Sequence, residues 1–354
     1  MVYAFVNVNG MTSEPARGPL AAALAGDEQA FRALVEPYQA ELHAYCYRML
    51  ASAHDADDVM QEVLLRAWRG LRGFEGRSSL RTWLYRIATN TSLNALERRS
   101  RRELPVDYGP ANPAGGSIPE PIAESTWLEP YPHAALADGR AAPEARYEQR
   151  ESVELAFIAG LQHLPGNQRA ALILREVLGF SARETAAALE TSEASVNGAL
   201  QRARRTVEER LPDRSQQATL RALGDERLTA VVEGYMDALG RGDVDAVVAL
   251  LSEDATWSMP PMPGWFGGLD AIAGFLRDHA FRERWRHLAM GANGQPAVGC
   301  YAWREATGRY EAAVVDVLTL RDDRIAAITA FVDPEIFARF GLPPALEGPG
   351  GPAD

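Results

Sequence analysis

The chain has 354 residues, 47% of them hydrophobic, and carries a formal net charge of −12. That length accommodates two or three domains with real cores; no apolar run reaches the length that spans a bilayer, and the N-terminus lacks the basic-then-apolar pattern of a secretory signal. The 36 basic residues are all arginine, the better reader of phosphates and base edges, while the acidic total argues against a protein that grips nucleic acid unaided.

Two cysteines, Cys46 and Cys300, stand far apart. They offer neither metal-ligand spacing nor a disulfide framework and fit a reducing cytoplasm. No metal and no cofactor is expected.

In chain order, residues 1–19 read as a disordered leader. From 20 to 102 the periodicity is helical. Ala30, Phe31, Leu34, Val35 and Tyr38, then Leu42, Tyr45, Cys46, Met49 and Leu50, recur at spacings of three and four. A helix from Ala53 to Leu71 turns Val59, Val63, Leu64, Ala67 and Trp68 inward, and another from Leu80 to Arg99 turns Leu84, Ile87, Ala88, Thr91 and Leu96 inward. Asp55, Asp57, Asp58 and Glu62 read as an acidic face. Trp83, Arg86 and Asn90 share a helical face, and Arg98, Arg99, Arg101 and Arg102 make a basic end. Acidic at one place and aromatic-basic at another implies two different partners; a solvated helix with arginines near its C-terminus gives the same pattern.

Residues 103–145 lose the periodicity. Prolines and glycines cluster there, which predicts an extended linker. Its one apolar island, Trp127-Leu128-Glu129-Pro130-Tyr131-Pro132, is either an anchor on a neighbouring surface or a transiently packed aromatic.

A second helical domain spans 146–212. One helical pattern ends at Leu178-Gly179-Phe180. The next starts at Ser181 with Glu184 three residues on, a capping box. It breaks near Glu190-Thr191, and a last helix starts at Ser192 with Val196, Ala199, Leu200 and Ala203 on one face and Arg202, Arg204 and Arg205 towards its end. Two short helices around a tight turn with an arginine-rich end describe a helix-turn-helix.

From 220 to 342 the class changes. Helices over Arg227–Gly240 and Val244–Leu251 lead into Ala255-Thr256-Trp257-Ser258-Met259, a third helix covers Leu269–His279, and an antiparallel sheet follows from strands at Arg286–Gly291, Ala297–Arg304, Arg309–Arg321 and Arg324–Val332, with Asp322-Asp323 as a hairpin turn. This is an α+β pattern. A polar hinge over 212–219 precedes it, and 343–354 reads as a flexible tail. The chain is therefore multidomain, with two all-α domains followed by one α+β domain.

The segments D-A-D-D-V-M-Q-E-V-L-L-R-A-W and S-L-R-T-W-L-Y-R-I-A-T-N, followed by the helix-turn-helix, resemble the extracytoplasmic-function RNA polymerase sigma factors of the sigma-70 family over residues 20–211. The resemblance implies two sigma regions, region 2 and region 4, in a cytoplasmic protein with core RNA polymerase and promoter DNA as partners. Asp57, Asp58, Gln61, Glu62 and Arg66 would meet the polymerase. Arg77, Ser79, Trp83, Arg86, Asn90 and Asn94 would capture the melted −10 strand, a task suited to stacking and cationic faces. Ser192, Ser195, Asn197, Gln201, Arg202 and Arg205 would read the −35 element. Asn197, Gly198 and Ala199 stand where such factors often carry more basic residues, so promoter binding is expected to depend on the polymerase.

The third domain resembles the cone-shaped fold of ketosteroid isomerases and SnoaL-like cyclases, through Glu233–Leu239 with Gly242-Asp243, Ser252–Trp257 and Val314–Val317. Tyr235, Trp257 and Asp316 are its candidate pocket residues. The position of the isomerase base falls near Ser258-Met259, without a carboxylate, and isomerisation needs a base; Asp254 and Glu253 are the nearest spares. The resemblance implies that this domain modulates the factor in cis by contacting the sigma domains, with any small ligand unknown, and that the chain is not an enzyme. Two other readings stay open: an enzyme or ligand sensor for a small hydrophobic molecule with a DNA-binding attachment, and a regulator that binds DNA alone.

Overall fold

The computed structural model describes residues 17–113, 115–123, 126–133 and 151–348. The expected leader up to residue 16, the linker from 134 to 145 and the tail from 349 lie outside them. The chain divides into two compact units. One takes the chain up to Arg102 and the stretch ending at Asp213; the other takes Glu103–Ala134 and everything from Arg214 onward.

The first unit is helical: α1 (Arg17–Leu24), α2 (Glu28–Leu50), α3 (Ala53–Gly70), α4 (Leu80–Leu96), α5 (Leu155–Gln162), α6 (Gly166–Leu172) running into a π turn at Ile173–Val177, α7 (Ala182–Ala188) and α8 (Glu193–Glu208). Polar caps set the starts. Asp27 accepts from the N–H groups of Gln29 and Ala30, Ser52 from that of Asp55, and Ser79 from that of Thr82, which satisfies donors the first turn leaves open. Ala51 closes α2 in the left-handed region at φ 57°.

The two helical stretches, separated in sequence by the linker, pack together in this unit. Buried Arg48 donates from Nε to Ser152 O at 3.0 Å and from Nη2 to Ser152 Oγ at 2.7 Å. Buried Arg169 reaches back to Met49 O at the end of α2 and donates to Gln162 Oε1 at 2.7 Å. Burial pushes its guanidinium down to about 10. Both arginines satisfy carbonyls where helices end, so removing either strands a buried acceptor.

The second unit holds α9 (Gln216–Leu223), α10 (Asp225–Arg241), α11 (Val244–Ala249), α12 (Leu269–Asp278) and strands β1 (Leu251–Ser258), β2 (Trp265–Gly267), β3 (Trp285–Ala292), β4 (Gln295–Arg304), β5 (Arg309–Arg321), β6 (Arg324–Phe331) and β7 (Ala345–Leu346). The sheet order is β2-β1-β6-β5-β4-β3, with β7 added on β5. β1 runs parallel to β6 and the other neighbours are antiparallel. One face of the sheet, through Val298, Cys300, Leu318, Ile328 and Ala330, packs on the helices through Tyr235, Leu239, Ile272 and Phe275.

Three expectations of looseness are corrected here. The hinge over 212–219 contains the start of α9, whose Gln216 side chain donates to Leu320 O at 2.9 Å and accepts from Leu320 N at 2.7 Å, filling the irregularity of β5 between Thr319 and Leu320. The stretch after Pro343 forms β7. The described residues of the linker, 103–113, 115–123 and 126–133, belong to this compact unit. Asn112 N–H donates to Trp265 O at 2.7 Å, Ile122 N–H to Pro261 O at 3.1 Å, and Asn293 N–H to Tyr131 O at 2.8 Å. A proline-rich segment cannot form a ladder, but it can lie along a sheet edge one hydrogen bond at a time. Gly291 permits part of this approach, since a Cβ there would meet His133 Nδ1 at 2.0 Å.

Candidate nucleic-acid interface and ligand cavity

On α3, Asp58, Gln61 and Arg66 are exposed, while Asp57 and Glu62 are half-buried. His43 Nε2 lies 2.9 Å from Asp57 Oδ1, and Arg66 Nε donates to Glu62 Oε1 at 2.6 Å. Asp55 leaves the expected acidic face. It is 3% exposed and is held by Arg99 and by Arg102 Nη2 at 2.8 Å. Two arginines of the presumed basic end are thus committed to a buried ion pair, because an isolated buried carboxylate is too costly to leave alone.

Of the −10 candidates, Arg77, Ser79, Arg86 and Asn94 are exposed and Asn90 is half-buried. Arg86, Asn90 and Asn94 follow at intervals of four and share one face of α4. Ser79 caps the helix below them. Trp83 is a correction: it is 7% exposed, and its ring lies 5.2 Å from that of Phe74. The spacing that put Trp83 beside Arg86 does not separate a stacking surface from the core boundary it sits on.

The helix-turn-helix forms as its sequence predicts. Ser181 and Glu184 complete the capping box, Glu190 takes the turn at φ 51°, and Ser192 caps α8. Ser192, Ser195, Asn197, Gln201, Arg202 and Arg205 are all exposed, whereas Val196, Ala199, Leu200, Ala203 and Val207 are buried. Ala199 is therefore a packing residue, not a missing contact. Arg204 pairs with Glu176, and Arg205 Nε with Glu209 Oε1 at 3.1 Å.

In the second unit a cavity of about 200 Å³ opens between the sheet and the helices. Its walls include Trp257, Phe275, Trp285, His279, His287 and Asp316, with Ile118 contributed by the docked linker. Asp316 on β5 is 3% exposed. Its Oδ2 accepts from Tyr235 OH at 2.9 Å and from the Cys300 thiol at 3.4 Å. Burial pushes Asp316 up to about 6, and these two hydrogen bonds pull against it. Tyr235 is fully buried behind the carboxyl and does not line the cavity, unlike Trp257 and Asp316.

The base position at Ser258-Met259 is filled by Met259, a cavity wall. Asp254 is exposed and tied to Arg321 at 2.9 and 2.8 Å; neither it nor Glu253 lines the cavity. Sequence reasoning missed His279 and His287. Trp285 and His287 alternate on β3, and that alternation was the available signal. Burial pushes His287 down to about 4, far below neutral pH and thus weak as a general base.

Residues 34–102 match the family Sigma-70 region 2, residues 154–207 match Sigma-70, region 4, and residues 232–328 match the SnoaL-like domain. The chain is 43% identical over 329 residues to the ECF RNA polymerase sigma factor SigG of Mycobacterium tuberculosis, covering 89% of this chain and 85% of that protein. It is 34% identical over 186 residues to the RNA polymerase sigma-H factor of Pseudomonas aeruginosa, covering 52% of this chain and 88% of that one. The crystal structure of the Mycobacterium tuberculosis extracytoplasmic function sigma factor SigJ shares the fold, with a TM-score of 0.54 and 23% identity over 88% of this chain and 99% of that chain. The chain belongs to the extracytoplasmic-function RNA polymerase sigma factors, the initiation factors of transcription, and carries a SnoaL-like domain after its two sigma regions.

Proposed function

We propose that the exposed face of α3, with Asp58, Gln61 and Arg66 and the half-buried Asp57 and Glu62, docks on core RNA polymerase. Arg77, Ser79, Arg86, Asn90 and Asn94 capture the melted −10 strand, and Ser192, Ser195, Asn197, Gln201, Arg202 and Arg205 read the −35 duplex. The observation that carries the reading is the division of α8 and its cap: Val196, Ala199, Leu200, Ala203 and Val207 are buried, and every −35 candidate is exposed. The N-terminal part of such a helix meets base edges and its arginines meet phosphates. The chain acts in the cytoplasm, where core RNA polymerase and promoter DNA are, as its likeness to the ECF RNA polymerase sigma factor SigG supports.

The SnoaL-like unit works as a modulator in cis and not as an enzyme. Met259 stands where the isomerases carry their base, the His287 imidazole is held near 4 by burial, and the Asp316 carboxyl is already engaged by the Tyr235 hydroxyl and the Cys300 thiol. Modulation runs through the segment 103–133, which is chemically continuous with α4 and docks on this unit.

The test is run-off transcription by core RNA polymerase on promoters selected from a random library, with the full chain and with a chain ending at Asp213. Promoter-directed transcription by either form supports the assignment, and a rate difference gives the sign of the modulation. If neither form binds core polymerase or directs initiation, the residue assignments fail.

A further inference from the structure

We propose that the cavity of the SnoaL-like unit binds a small, neutral, one- or two-ring aromatic molecule that donates a single hydrogen bond to Asp316, and that Ile118 is the lid of this site. This goes beyond the assignment as an initiation factor and does not depend on it.

Size comes first. A cavity of about 150 Å³ lined by apolar side chains takes up benzene, and this one measures about 200 Å³. Trp257, Phe275 and Trp285 give it flat walls, and aromatic faces pair well in offset or edge-on contacts.

Polarity narrows the ligand. Asp316 lines the cavity, and the Tyr235 hydroxyl and the Cys300 thiol both donate to its Oδ2, so Oδ1 is the acceptor we assign to the ligand. An acceptor on the wall of a mostly apolar cavity is matched by an O–H or N–H on the ligand. An anion is repelled by the carboxylate. An ammonium would have to leave water for a predominantly apolar site.

The lid comes from how the linker is fastened. Ile118 lies between two tethers: Asn112 N–H on Trp265 O at 2.7 Å, and Ile122 N–H on Pro261 O at 3.1 Å. The Trp265 indole returns a bond to Gly109 O at 2.8 Å. Gly264 makes room for the strap, since a Cβ there would meet Asn112 Nδ2 at 2.5 Å and Pro119 Cδ at 2.7 Å. The cavity exists with Ile118 in place, so a ligand fits beneath it and adds contact to it. Occupancy and the docked strap therefore stabilise one another. That strap is part of the peptide joining sigma region 2 to region 4.

The test uses the full chain at neutral pH, with indole as the donor probe, benzofuran as its donor-free analogue and benzylamine as a cationic probe. Titration calorimetry should show saturable indole binding, at least fivefold tighter than benzofuran or benzylamine. Hydrogen exchange at the amides of Asn112 and Ile122 should slow about tenfold at saturating indole. Ile118→Ala and Gly264→Ala should each weaken indole severalfold and remove that protection, and Asp316→Leu should abolish the preference for indole over benzofuran. Absence of saturable binding, equal affinity for indole and benzofuran, tighter binding of benzylamine, or binding that leaves Asn112 and Ile122 exchange unchanged would each overturn the proposal.

Discussion

The guanidinium carbon of Arg81 lies 4.3 Å from the ring centroid of Phe180. Arg81 belongs to α4, which carries most of the −10 candidates; Phe180 is in the turn that opens the helix-turn-helix. The same arginine pairs with Glu41 and donates to Leu178 O at 3.3 Å. The Tyr85 ring meets Phe180 edge-on at 5.0 Å. One side chain thus joins three elements of the first unit.

Arg81→Ala is expected to cost about 1–2 kcal/mol, from a cation–π contact and charge-assisted hydrogen bonds. A double-mutant cycle with Phe180→Ala, read by chemical denaturation, should give a coupling of about 0.5 kcal/mol or more. Strict additivity would show that the two residues do not cooperate. Transcription from the selected promoter should rise in Arg81→Ala if this packing restrains the separation of the two DNA-reading helices.

Trp83 and Arg86 are three residues apart on α4 and should behave in opposite ways. Trp83 is 7% exposed, so Trp83→Ala should destabilise the unit by about 3–5 kcal/mol. Arg86→Ala should leave the melting temperature within about a degree and reduce permanganate reactivity of the melted −10 strand. A stable, melting-competent Trp83→Ala protein would contradict the packing assigned here.

On α8 the salt dependence of promoter binding by the holoenzyme separates the arginines. Arg202→Ala should lower the slope of log K against log salt by about one. Arg205→Ala should lower it less, because Arg205 is already paired with Glu209 at 3.1 Å. Gln201→Ala should instead change which −35 sequences are selected, since a base-edge contact carries sequence information and a phosphate contact does not.

The cavity wall carries two opposed pH effects. Asp316 is raised to about 6 by burial. The folded chain therefore keeps a proton that the unfolded chain has lost, and the stability this contributes is present below about pH 4 and lost as pH rises through 6. His287 is lowered to about 4 by burial. The folded chain refuses a proton that the unfolded chain takes, and the stability is present above about 6.5 and lost as pH falls through 4. Measured against the parent chain, His287→Gln should be relatively more stable at pH 5 than at pH 7, and Asp316→Asn relatively more stable at pH 7. The excursion is about 2–3 kcal/mol at most for Asp316 and less for His287, which keeps some solvent contact. Parallel pH profiles for the two variants would show that neither group is held as described.

Asp55 offers a test of the first unit's core. It is 3% exposed, and Arg102, its partner at 2.8 Å, is 6% exposed. Asp55→Asn should cost about 3–5 kcal/mol, because it leaves buried guanidinium charge without its counter-ion. A loss below about 1 kcal/mol, by urea denaturation, would show that water reaches the pair.

What the sequence determined by itself is what local chemistry dictates. Caps, turns and periodicity set the elements: Ser181 with Glu184, Ser192 and Ser79 start helices and Asp322-Asp323 turns a hairpin, each acting within a few residues of itself. The alternation of Val196, Ala199, Leu200 and Ala203 with polar neighbours fixed which side of α8 stays exposed, so the exposure of each residue proposed to read the −35 element was legible in the sequence. The tertiary structure alone decided matters that depend on distant partners. Trp83 is core because Phe74 covers it, and Asp55 is internal because Arg102, 47 residues away, reaches it. The linker is seated because Trp265, Pro261 and Asn293 offer backbone and side-chain partners that proline and glycine counts cannot reveal. His287 faces a cavity only because β3 closes against β4 in one register. Hydrophobic periodicity records which residues leave water, but not what they meet when they do.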